Sequence, residues 1–147
     1  MPADRTGILF SNHLARSSAQ VNRLLEDGSG VAAGDVDGDG LCDLYFCRLD
    51  GPNALYKNLG GWRFQDVTGA SGAACADQYS TGAALADLDG DNDLDLIVNA
   101  TGRGTRCFLN DGNGRFSEPA TLSLPPGQGL APWRWLTLTA MGILICT

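Results

Sequence analysis

The fold is decided by Val31-Ala32-Ala33-Gly34-Asp35-Val36-Asp37-Gly38-Asp39-Gly40-Leu41-Cys42-Asp43-Leu44-Tyr45-Phe46, two short apolar runs flanking an aspartate-rich loop. It is echoed 52 residues later by Ala83-Ala84-Leu85-Ala86-Asp87-Leu88-Asp89-Gly90-Asp91-Asn92-Asp93-Leu94-Asp95-Leu96-Ile97-Val98. The same offset, with no gap, carries Asn58 onto Asn110 and Phe64 onto Phe116. A fixed offset across so many landmarks is an internal repeat, whose units bury their apolar faces against one another.

Outward from the loops, each unit predicts four short strands. One apolar strand precedes the loop and one follows it. A third runs around Asn53 to Asn58 or Thr105 to Asn110, and a fourth around Trp62 to Val67 or Arg115 to Glu118. Gly60-Gly61 and Asp111-Gly112-Asn113-Gly114 separate the last two, and such residues tolerate the positive φ that tight hairpins need. Four antiparallel strands repeating about every 50 residues make a propeller blade. The predicted fold is all-β: a partial β-propeller of two four-stranded antiparallel blades, about 29–70 and 80–120, within a repeat region of 1–124. Residues 7–14 are then the outer strand of a preceding blade. Propellers close with about four to eight blades, so the chain reads as part of a larger ring whose open blade edges favour self-association.

In the first loop Asp35, Asp37, Asp39 and Asp43 stand at positions 1, 3, 5 and 9, and Asp87, Asp89, Asp91 and Asp95 repeat the arrangement. Calcium takes about six to eight hard oxygens in adaptable geometry, so alternate side chains of a curled loop can converge on one ion. Two Ca2+ sites are predicted. The backbone carbonyls of Leu41 and Asp93, at position 7, each add a ligand, while the Asp93 side chain is read as solvated. Gly40 and Asn92 occupy position 6, where the chain turns sharply. An EF-hand opens in the same way but closes with an acid at position 12; here position 12 is Phe46 or Val98, inside an apolar β-type run.

Composition agrees with a site-borne acidity. The formal charge is −7, yet nine of the 17 acidic residues lie in the two windows 35–43 and 87–95, leaving eight against ten basic residues. No basic run tracks a phosphate backbone, which argues against a nucleic-acid partner. The five cysteines (Cys42, Cys47, Cys75, Cys107, Cys146) show no CxxC spacing for zinc; one or two disulfides or buried free thiols both fit, with Cys47 and Cys75 a candidate pair. Met1-Pro2-Ala3-Asp4-Arg5 opens no charged-then-apolar signal segment.

Through the two loops, "GPNALYKNLGGWRFQDVTGASGA" and "GTRCFLNDGNGRF", residues from roughly 8 to 124 resemble the FG-GAP or VCBS repeats of integrin-type β-propellers. They resemble more closely the bacterial ASPIC/UnbV proteins related to cartilage acidic protein. The resemblance implies an ion that staples the first two strands of each blade. It also implies a ring used for recognition or adhesion towards protein or glycan, at an extracellular, periplasmic or cell-surface location.

The tail changes character after Pro125-Pro126-Gly127. Its apolar run is about 13 residues, against roughly 20 for a spanning helix, so no membrane span is expected. With codons freely chosen, Trp133 to Thr147 can be written so that the neighbouring reading frame spells a third aspartate loop, its first aspartate falling at Thr137. The expectation is a frameshifted third repeat over 125–147, which the nucleotide sequence of the gene checks.

The functional expectation is a non-enzymatic, calcium-stabilised recognition module. The alternative is a propeller enzyme such as a polysaccharide lyase. Against it, the lone histidine, His13, has no acidic partner nearby in sequence, and one such residue is weak support for a base. Trp62, Phe64, Tyr45 and Phe116 are read as strand core, and Asn58 and Asn110 as turn residues.

Overall fold

The computed structural model describes residues 3–12 and 29–119. His13, Cys146, the end of the expected 7–14 strand and the 125–147 tail lie outside them. Eight strands form two separate four-stranded antiparallel sheets. The first holds β1 (Val31–Gly34), β2 (Asp43–Phe46), β3 (Ala54–Asn58) and β4 (Phe64–Asp66) in that order. The second repeats the order with β5 (Tyr79–Ala86), β6 (Asp95–Thr101), β7 (Gly104–Asn110) and β8 (Phe116–Ser117). Among the described residues, helix is limited to two four-residue turns, α1 (Ala3–Thr6) and α2 (Thr68–Ser71). This is the expected all-β partial propeller.

The register keeps the repeat. Ala33 pairs with Leu44 and Gly34 with Asp43, and at the 52-residue offset Leu85 pairs with Leu96 and Ala86 with Asp95. Each aspartate loop therefore bridges the first two strands of its sheet, and its last aspartate already belongs to the second strand. Alternation along the strand then sets the faces. Tyr45, Cys47 and Leu55 on blade one pack with Leu96, Val98, Phe108 and Phe116 on blade two in one buried core. Burying a side chain such as Leu55 or Leu96, each at most 1% exposed, contributes about 1.5–3 kcal/mol. Where β1 meets β5 the fit is close. A Cβ on Gly34 would lie 2.7 Å from Leu94 Cδ1 and 3.0 Å from Leu85 Cδ1, so a larger residue there requires these leucine side chains to shift.

A buried polar chain also joins the blades. Asn53 Nδ2 donates to Tyr45 Oη (2.8 Å) and Ser80 Oγ (2.9 Å), while Tyr45 Oη donates to the Ala73 carbonyl (2.7 Å). Buried polar groups fully satisfied in this way specify one docking of the two sheets.

Residues 7–12 pair with no strand and instead lie against the opposite face of blade one. Phe10 stacks on Phe46 at 4.9 Å, and Leu9 N–H donates to Tyr56 Oη at 3.3 Å. The outer strand of a preceding blade would have no sheet to join within this chain.

Two side-chain expectations are corrected. Trp62 is not strand core: it stands in the β3–β4 turn at φ 61° and is 70% exposed, whereas Tyr45 and Phe116 are buried as expected. Cys47 and Cys75 are both buried but remain free thiols, as do Cys42 and Cys107. Burial pushes the Cys47 thiol up to about 12, which makes it inert. No helix among the described residues is long and apolar enough to cross a membrane.

Candidate metal centre

Each loop is organised around its first aspartate. Asp35 Oδ1 accepts from the N–H groups of Gly38 (2.8 Å) and Asp39 (3.2 Å), and Oδ2 from that of Gly40 (2.8 Å). Asp87 accepts from Gly90 N–H (2.7 Å) and Asn92 N–H (3.2 Å). These bonds curl the backbone into a ring around the carboxylate. Gly40 (φ 81°) and Asn92 (φ 73°) take the left-handed conformation at position 6, as the spacing predicted.

The last aspartate of each loop is a buried tie. Asp43 is fully buried; its Oδ2 accepts from Val36 N–H (3.0 Å) and its Oδ1 from Asn58 N–H (2.7 Å). Asp95 matches it, with Leu88 N–H at 2.6 Å and Asn110 N–H at 2.8 Å. Loop, second strand and third-strand end are thereby fastened to one side chain. Burial pushes both carboxyls above the usual range, although the amide hydrogen bonds pull the other way. The sequence spacing marks these residues as loop carboxylates and does not show their backbone partners.

Carboxylate oxygens of Asp35, Asp37 and Asp39 lie within 4.8 Å of one another, as do those of Asp87, Asp89 and Asp95. Asp43 and Asp91 stand outside these tightest groups. Asp43, like Asp95, accepts from two backbone amides, and Asp91 Oδ1 accepts from Asp93 N–H at 2.9 Å. Leu41 N–H likewise donates to Asp39 Oδ1 at 2.9 Å. The Asp93 carboxylate is partly buried rather than solvated: it abuts the β7–β8 turn, where a Cβ on Gly112 would lie 2.5 Å from its Oδ2. Burial, then the charges of Asp91, Asp89, Asp111 and Asp87, raise it above the usual carboxylate range.

Three features test whether a hard divalent cation fits. The donors are all oxygens, the set calcium selects. Asp37 Oδ1 is buried without a hydrogen-bond partner, a cost that natural structures rarely leave uncompensated. A cation already stands in at the first loop: the Lys57 ammonium pairs with Asp37 Oδ2 and, at 3.0 Å, with Asp39 Oδ2.

The recurring turn asparagines add a link. Asn58 and Asn110 each accept from the turn N–H of Gly60 (2.9 Å) or Gly114 (3.1 Å), the role expected of them. Asn110 Nδ2 also donates to Leu94 O in its own loop (3.1 Å) and to Val36 O in the loop of the other blade (2.7 Å).

Repeated loops of this geometry between the first two strands of successive blades define the class, and residues 35–98 match the FG-GAP-like repeat. Over those residues the chain carries FG-GAP-like repeat sequence. It is similar to cartilage acidic protein 1 of Xenopus tropicalis, 31% identical over 97 residues that cover 64% of this chain and 15% of that protein. The cartilage acidic protein 1 sequences of Mus musculus and Homo sapiens are each 29% identical over the same shares. The chain thus spans a small part of the length of the relatives it matches.

Proposed function

We propose that this chain is a non-enzymatic recognition module whose blades are braced by two calcium ions. Asp35, Asp37, Asp39 and Asp43 hold one with the Leu41 carbonyl; Asp87, Asp89, Asp91 and Asp95 hold the other with the Asp93 carbonyl. Calcium supplies there the positive charge that lets clustered carboxylates share one small volume. The observation that carries this reading is the convergence of three carboxylates to within 4.8 Å, twice, at the same place in two blades. The ion's role is structural, because each loop ends in an aspartate that ties the loop to the neighbouring strands. The recognised partner is a protein or glycan outside the cytoplasm, as the likeness to FG-GAP-like repeats and to cartilage acidic protein 1 supports.

The enzyme alternative needs acid–base groups outside the loops. Away from the loops, Arg103 and Arg106 are spent on ion pairs with Asp77 and Glu118.

An ion at 100 times its dissociation constant stabilises by about 2.7 kcal/mol. Removing two such ions lowers the melting temperature by roughly 10 °C or more. Thermal melts in millimolar calcium and in EDTA measure this, and calorimetric titration counts the ions. Identical melts with no calcium uptake overturn the proposal, and release of unsaturated sugars from a polysaccharide substrate would establish the lyase alternative.

A further inference from the structure

The two loops are built alike but are not electrically alike. Lys57, the only lysine in the chain, lies near the end of β3 and reaches across the mouth of the first loop to Asp37 and Asp39. At the 52-residue offset its place on β7 is taken by Leu109. Among the described residues no basic side chain pairs with an acid of the second loop: Arg103 and Arg106 are held by Asp77 and Glu118. The first loop therefore carries its own counter-charge, while the second has only like charges and gains a further one from Asp93.

Resting on the calcium reading, we infer that Lys57 is a built-in counter-ion of the first loop that makes the two calcium sites unequal. In the metal-free chain the ammonium neutralises Asp37 and Asp39 and keeps that loop folded. An entering ion needs the same oxygens, so Lys57 must swing out to solvent, and its charge-assisted hydrogen bonds are given up. The second loop has no such competitor and fills first. The first loop then acts as the weaker site, filled only where calcium is abundant, and its occupancy is reported by the position of a single side chain.

Giving up one charge-assisted hydrogen bond corresponds to about tenfold in affinity. Calcium titration of the whole chain by calorimetry is expected to show two phases separated by about that factor. Asp87→Asn is expected to remove the tighter phase and Asp35→Asn the weaker. Lys57→Met tightens the weaker phase about tenfold, and Lys57→Arg, which keeps the charge, leaves it weak. Because the chain has one lysine, reductive methylation with 13C-formaldehyde places a single side-chain probe at Lys57, distinct from the terminal amine. Its NMR signal is expected to move with the weaker phase and not with the tighter one. A Lys57 signal that follows the tighter phase, or an unchanged weak phase in Lys57→Met, overturns the inference while leaving two calcium sites standing. If Lys57→Met does not fold, Lys57→Gln and the methyl signal decide the matter. No uptake by any variant overturns the calcium reading itself.

Discussion

Trp62 shows how one residue can hide a repeat's rule and obey it. Its backbone takes φ 61°, and at the same place in blade two Gly114 takes φ 73°. The turn demands the left-handed region in both blades, where an ordinary side chain costs about 1–2 kcal/mol. A Cβ on Gly114 would make ordinary contact with Val36 Cγ2 at 3.4 Å. Trp62 is largely exposed and lines an apolar cleft together with Leu41, Leu44 and Phe64. Trp62→Asn is expected to stabilise the chain by about 0.5–1 kcal/mol, since asparagine tolerates this conformation. Urea denaturation measures it, and a loss of stability would mean that the indole contributes packing. The 52-residue offset set Trp62 over Gly114, so the turn was legible. The aromatic side chain nevertheless reads as core, because residue type signals burial more strongly than it signals backbone conformation. The buried aspartates were legible in the opposite way. Spacing revealed Asp43 and Asp95 as loop carboxylates, but one of the two amides each accepts from belongs to a residue 15 positions away, Asn58 or Asn110, and only strand pairing brings it near.

At the scale of elements, the unit that matters is the turn between β7 and β8. Gly112 presses on Asp93 of the second loop and Gly114 on Val36 of the first, and Asn110 hydrogen-bonds a carbonyl in each. One hairpin end thus sits between the two aspartate loops. Both the strands and this turn could be read from apolar runs and glycines; the contact with the neighbouring blade could not, since it joins residues 74 positions apart. Asn58, its counterpart, bonds only its own loop through Cys42 O at 2.9 Å. Truncating a buried amide strands its partners at about 1–3 kcal/mol. Asn110→Ala is therefore expected to cost about 2–3 kcal/mol and Asn58→Ala about 1 kcal/mol or less. Chemical denaturation of both variants in calcium compares them, and equal costs would show that the interblade bond carries no weight.

Across the whole molecule, the net charge of −7 is concentrated where the fold draws carboxylates together, and this couples stability to pH and metal at once. Asp93 and Asp95 are held above the ordinary carboxylate range, each chiefly by burial. With calcium chelated, the folded chain therefore binds more protons at the second loop than the unfolded chain does. The slope of unfolding free energy with pH follows the unfolded-minus-folded proton count, so it is negative there. The second loop's contribution is fully present below the ordinary carboxylate value of about 4 and is lost as pH rises through the raised values. The first loop divides, since Asp43, raised by burial like Asp95, adds to this slope while Asp39 opposes it. Its Asp39, held low first by the Lys57 hydrogen bond and then by Leu41 N–H, contributes stability above the ordinary value that is lost as pH falls. Calcium reverses the second loop's slope, because bound ligands must be deprotonated and affinity climbs as protons leave. Melting curves from pH 4 to pH 7 are thus expected to show the stabilisation by calcium widening steadily as pH rises. In EDTA, Asp93→Asn is expected to fall less with pH than the parent, because one raised carboxyl has been removed. A calcium-dependent gap that stays constant over this range would mean that the second loop's carboxylates do not titrate with folding, and that the acidic cluster is held apart by something other than the ion.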